Sequence, residues 1–157
     1  MKLGIATEET WDFLHEIYAD LSEHYEVSLF KRKTASPPFF KERVNRYLLR
    51  RNMQNFMQPN DVVFFEWASE LLALATHLPK TCGIVTRLHR YEMYQWVDRI
   101  NWDAVDKIIL VSQAKVKEFS ARFPQQAHKV VMVYEAVSLD RFQFIKFGGN
   151  DIHNCRQ

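Results

Sequence analysis

Asp61-Val62-Val63-Phe64-Phe65-Glu66-Trp67 is the stretch on which the fold turns. Its centre is apolar at four successive positions, and all four are β-branched or aromatic. A strand with one wet face alternates polar and apolar residues. An unbroken apolar run belongs to a strand buried on both faces, as in a parallel sheet. Pro59-Asn60 marks the turn into it. Similar short runs lie on either side: Lys2–Ala6, Tyr25–Phe30, Gly83–Leu88, Lys107–Val111 and Lys129–Tyr134. Between them the apolar spacing becomes helical. Thr10 is placed to cap a helix running to Ser22, in which Trp11, Leu14, Ile17, Tyr18 and Leu21 share a face. Phe40, Val44, Tyr47, Leu48 and Phe56 form a second stripe after the Ser36-Pro37-Pro38 break. Ser69–His77 and Ala114–Phe123 complete the helices, with Pro79 and Pro124 as stops, and Tyr91–Asn101 is a helix or a helical turn. Regular alternation of strand and helix predicts an α/β fold. The sheet is Rossmann-like, doubly wound and parallel, with about six strands and helices on both faces.

Composition agrees with a packed domain. The chain has 157 residues, 47% hydrophobic and 25% charged, with only four glycines and five prolines. Cys82 and Cys155 make no disulfide framework, and the histidines show no metal-ligand spacing. The start, Met1–Ala6, is too short an apolar run for a signal peptide, and no run approaches the roughly 20 residues that span a bilayer. A reduced, cytoplasmic location follows. The net charge of +2 conceals an asymmetry. Between Lys31 and Arg51 stand eight basic residues and one acid, Glu42, so this segment carries +7 and the rest of the chain −5. That distribution argues against a nucleic-acid binder.

Open parallel sheets bind ligands beyond the carboxyl ends of their strands. The polar residues expected there are Thr7-Glu8-Glu9, Lys31-Arg32, Glu66-Trp67, Arg87 to Arg90, Ser112-Gln113 and Glu135.

Three pieces in the second half carry a resemblance. They are Val85-Thr86-Arg87-Leu88-His89-Arg90-Tyr91-Glu92, then Val105-Asp106-Lys107-Ile108-Ile109-Leu110-Val111-Ser112, then the segment from Lys129 through Glu135-Ala136 to Asp140-Arg141-Phe142. Their order resembles the amino-terminal domain of retaining, family-4-like glycosyltransferases of the GT-B fold. The resemblance implies an acceptor-side domain over residues 1–142. It also implies a linker or tail over 143–157, leading toward a donor-binding domain this chain lacks. It implies transfer of a sugar from a nucleotide-sugar donor to a polysaccharide or lipid-linked acceptor, with no cofactor and no metal, and a fragment inactive alone. Two positions depart from the pattern: Thr7-Glu8-Glu9-Thr10 replaces a Gly-rich turn, and Glu135-Ala136 replaces Asn-Gly.

Each candidate residue has two readings. His89, the expected catalytic residue by resemblance, contacts the sugar or its leaving phosphate, or else caps local backbone. Arg87 and Arg90 grip an anion bidentately, or pair with Glu66 and Glu92. Strand alternation turns Arg87 and His89 the same way. Glu66 and Trp67 receive acceptor hydroxyls and a sugar face, or Glu66 pairs with Arg87 while Trp67 joins the core. Ser112 binds substrate or caps the following helix. Glu92 and Glu135 complete the expected substrate-binding set. The basic segment 31–51 is a solvated helix face, a peripheral contact with a membrane surface, or a grip on an acidic acceptor. Other functional classes remain open: a non-catalytic α/β binding or regulatory module, and the nucleotide-binding domain of another enzyme, although no G-x-G-x-x-G is present.

Overall fold

The computed structural model describes residues 1–8 and 14–134. In chain order the elements are β1 (Lys2–Ala6), α1 (His15–His24), β2 (Glu26–Leu29), α2 (Lys41–Met57), β3 (Val62–Phe65), α3 (Glu70–Ala75), β4 (Gly83–Leu88), α4 (Glu92–Gln95), β5 (Lys107–Leu110), α5 (Gln113–Arg122) and β6 (Val130–Met132). Three 3-10 segments, Val97–Arg99, Trp102–Ala104 and Pro124–Lys129, fill the connections. Thr10, Trp11, Glu135 and the expected boundary at 142 lie outside the described residues.

The six strands form one sheet in the order β2-β1-β3-β4-β5-β6, and every pair is parallel. From β1 the chain steps to one side to make β2, then crosses back to lay β3 on the other side. The direction of winding therefore reverses between β1 and β3, where such folds open a crevice. The two faces are covered unequally. Val63, Phe65, Ile84, Leu88, Ile108 and Leu110 pack against Leu49, Met53 and Met57 of α2, Leu72 of α3 and Phe119 of α5. Leu3, Ile5 and Phe64 lie on the other face with Leu14, and Ile17, Tyr18 and Leu21 of α1 pack against them. Alternate strand residues divide between these clusters, as a sheet sandwiched by helices requires.

The buried residues of α2 recur every fourth position, which brings one stripe of the helix down on the sheet. Gly4 allows the approach. A Cβ at that position would stand 2.8 Å from the Phe56 ring and 2.9 Å from the Asn60 amide. Two aspartates fix the strand register from the opposite end. Asp61 accepts the Lys2 amide at 2.7 Å and donates its own to the Lys2 carbonyl. Asp106 does the same with Ile84, at 2.7 and 2.8 Å.

One expected segment takes the shorter of its two readings. Tyr91–Asn101 divides into α4 and the Val97–Arg99 turn. The Val97 carbonyl is taken by the Trp102 indole at 2.9 Å, and the Asn101 amide by the Thr76 hydroxyl at 3.2 Å. Those tertiary bonds replace the next helical turn. Pro124 ends α5 but opens a 3-10 segment instead of a plain loop.

Candidate functional site

The row beyond the strand ends is polar across three neighbouring strands. Ala6, Phe65 and Thr86 lie side by side in register, so the next residues, Thr7, Glu66 and Arg87, end β1, β3 and β4 together. Glu66 keeps the alternation of Val62 and Phe64, and Arg87 that of Val85. Both therefore stand on the α1 face of the sheet. The Glu66 side chain is 0% exposed and that of Arg87 9%. An Arg87 Nη2 hydrogen donates to Glu66 Oε1. This is the structural pairing the sequence allowed.

His89 continues the Arg87 side of the chain. Its Nε2 lies 3.7 Å from the same Glu66 oxygen, and its side chain is 13% exposed. The imidazole stacks on Trp67, with ring centroids 4.2 Å apart and 27° between planes. Trp67 therefore presents one face to His89. Glu92, fully buried at the start of α4, accepts the His89 amide at 3.0 Å and fixes the loop. Glu66, Trp67, Arg87, His89 and Glu92 thus form one cluster.

Among the described residues, four buried polar atoms in this row have no hydrogen-bond partner: Thr7 Oγ1, Glu66 Oε2, Trp67 Nε1 and Arg87 Nε. Each such atom costs about 1–3 kcal/mol when left dry. Two are obligate donors, one is an acceptor and one is a hydroxyl that serves as either. That mixture complements a neutral, hydroxylated ligand. A phosphate offers acceptors alone and would meet the Glu66 carboxylate.

The remaining predicted residues fall elsewhere. Ser112 caps α5, its hydroxyl accepting the Lys115 amide at 3.4 Å. Arg90 lies outside the buried row. With Tyr91, Tyr94 and Gln95 it lines a shallow cavity of about 460 Å³. Lys115 of α5 reaches this rim, donating to the Tyr94 hydroxyl at 3.3 Å. A hydrogen bond to Glu118 holds the Lys115 ammonium above its ordinary pKa. On the opposite side, Arg32 bridges Glu8 at 3.1 Å and Glu70 at 2.7 Å, so the carboxylate after β1 is neutralised. Glu135 lies outside the described residues. Among the described residues no three His, Cys, Asp or Glu side chains gather to hold a metal, and no helix is long and apolar enough to cross a membrane.

The sequence underplayed Thr7, Tyr94 and Lys115. Thr7 was visible as a residue following a strand. Tyr94 and Lys115 meet only because α4 and α5 start at the same sheet edge.

Fold and site together define an open parallel α/β domain with a buried polar row at its switch point. No protein family, curated protein or solved structure significantly matches the chain.

Proposed function

We propose that this domain is the acceptor-side half of a GT-B-type glycosyltransferase, binding a hydroxylated acceptor against Thr7, Glu66, Trp67, Arg87 and His89. The observation that carries the reading is the row of four unpartnered buried polar atoms at the β1/β3 switch point. Its donors and acceptor suit sugar hydroxyls. In this reading Glu66 Oε2 accepts from an acceptor hydroxyl while Arg87 holds the other carboxylate oxygen. Trp67 Nε1 and Arg87 Nε donate to ring or hydroxyl oxygens. His89, steadied by the Trp67 ring and by Glu92, contacts the reacting sugar or its departing phosphate. The nucleotide-sugar donor is bound mainly by a second domain, so this chain alone binds acceptor without transferring sugar.

The test is ligand-observed NMR with a panel of mono- and disaccharides and nucleotide sugars, paired with a transfer assay. Saccharide binding weakened by Trp67→Ala, with no transfer by the 157-residue chain, is the expected result. Sustained turnover by this chain would reject the two-half account, and absence of any saccharide binding would reject the acceptor role.

One observation favours a second reading. Arg87 gives Nη2 to Glu66, whose carboxylate offsets its charge, so among the described residues the buried row favours a neutral ligand over a phosphate. That suits a non-catalytic binding module. It is distinguished by saccharide binding that persists while a longer parent chain transfers nothing.

A further inference from the structure

The segment from Lys31 to Arg51 lies apart from the polar row and has a geometry of its own. Phe39 and Phe40 are 76% and 77% exposed, and Tyr47 is 61% exposed. Pro37-Pro38-Phe39-Phe40 is four residues long and has no side-chain donor or acceptor. Phe40 adopts a left-handed backbone, φ 57° and ψ 31°, the only described non-glycine residue with positive φ. A bulky side chain enters that region at a cost. The loop is nevertheless tied to the helix. The Asn45 side chain accepts the Ala35 amide at 2.8 Å and donates to the Ala35 carbonyl at 3.0 Å.

Around this tip lie the charges. All eight basic residues of the segment are exposed, and among the described residues only Arg32 makes an ion pair. Tyr47 and Arg51 fall on the face of α2 turned away from Leu49, Met53 and Met57, while Arg43 and Arg50 border that buried stripe with their side chains exposed. An apolar tip beneath a collar of cations matches a membrane interface. There aromatic rings enter the acyl boundary while guanidinium and ammonium groups meet headgroup phosphates. Acidic peptides and nucleic acids offer the same charge, but a contiguous Pro-Pro-Phe-Phe tip is the element that an acyl boundary takes up, so the bilayer is the occupant favoured and the soluble polyanions are outcomes of the test. Because α2 follows β2, the tip stands at the carboxyl end of the sheet, the same end as Glu66 and His89.

We infer that Phe39 and Phe40, with Lys33, Lys41, Arg43, Arg46, Arg50 and Arg51 around them, dock this domain on an anionic phospholipid bilayer. The docking is independent of the reaction assigned to the polar row.

The test is co-sedimentation of the full chain with vesicles of phosphatidylcholine alone and of equimolar phosphatidylcholine and phosphatidylglycerol. Binding to the anionic vesicles should be on the order of a hundredfold tighter and should weaken with salt. Arg50→Ala/Arg51→Ala should lose about fivefold per charge. Phe39→Ser and Phe40→Gly should each lose on the order of tenfold. Phe40→Gly also relieves the left-handed backbone, so its thermal midpoint should be equal to or above that of the parent. Failure to sediment with anionic vesicles would overturn the inference. So would unchanged binding by both phenylalanine variants, which would leave charge alone. Preferential binding of a homopolymeric RNA or of polyglutamate, measured in competition with the vesicles, would assign the surface to a soluble polyanion and overturn it as well.

Discussion

Glu66 and Arg87 are the two residues whose removal separates stability from recognition. Both are buried, and each is the other's charge partner. Taking one away leaves an ion in a low-dielectric site, at about 3–5 kcal/mol. Replacing both with apolar side chains of similar volume removes the desolvation problem along with the attraction, and is often near neutral. Urea denaturation should therefore show Glu66→Ala and Arg87→Ala each losing about 3–5 kcal/mol, while Glu66→Leu/Arg87→Met regains most of it. Saccharide binding should fail in the double variant even though it folds. A single variant losing under about 1 kcal/mol would mean that water reaches the pair and that it is no buried bridge. The sequence held part of this. Alternation along one strand turned Arg87 and His89 the same way, and Glu66 was one of the acids expected at a strand end to pair with Arg87. The stack of His89 on Trp67 and the place of Thr7 were not legible. The stack depends on β3 and β4 becoming neighbours and the place of Thr7 on β1 and β3 doing so, and no local pattern encodes either pairing.

At the scale of elements, strands were easier to read than the connections between them. β4 matches its expected span residue for residue, because Gly83 opens it and Ile84-Val85-Thr86, apolar or β-branched throughout, follows. Met93, Val97 and Ile100 recur at helical spacing, yet the helix stops at Gln95. Trp102 and Thr76 take its next hydrogen-bonding groups, and such distant partners are invisible in a local window. The aspartate before β5 is a sharper case. Burial alone would raise the Asp106 pKa. The Lys80 ammonium at 2.6 Å and the Ile84 amide outweigh it and hold the carboxyl below its ordinary value. A group more acidic in the folded chain stabilises the fold above the unfolded value, about 3.9 for aspartate. That contribution disappears as pH falls through the lowered folded value. Asp106→Asn keeps the shape and loses the charge. It should be less stable than the parent by about 1 kcal/mol near neutral pH, the half-exposed Lys80 contributing little of that. Denaturation across a pH series should show the gap closing on the acid side. A gap that stays constant into acid would show that the amide bond, and not the charge, fixes the register.

For the whole molecule, the unequal covering of the two faces predicts where the structure opens first. The larger cluster lies between the sheet and the helices α2, α3 and α5, and holds β3, β4 and β5 from one side. On the other face α1 covers β1, β2 and β3, and the cover thins toward β6. Phe64 is buried, Val85 and Ile109 are half-buried, and Val131 is exposed. Parallel strands are stable when both faces are covered, so local opening free energy should fall along the same line. Amide hydrogen exchange should find the amides of Val63, Phe65, Ile84 and Thr86 opening only with global unfolding. Those of β6 should open at about 2 kcal/mol or more below that limit. The polar row ends β1, β3 and β4, each paired on both edges, and β3 and β4 lie over the thick part of the core. A site there is held rigidly by its strands, as recognition by several weak hydrogen bonds requires. If β4 instead exchanged as fast as β6, Arg87 and His89 would move with it. The unpartnered atoms of the row could not then be preorganised for a ligand, and the acceptor reading would lose its structural basis.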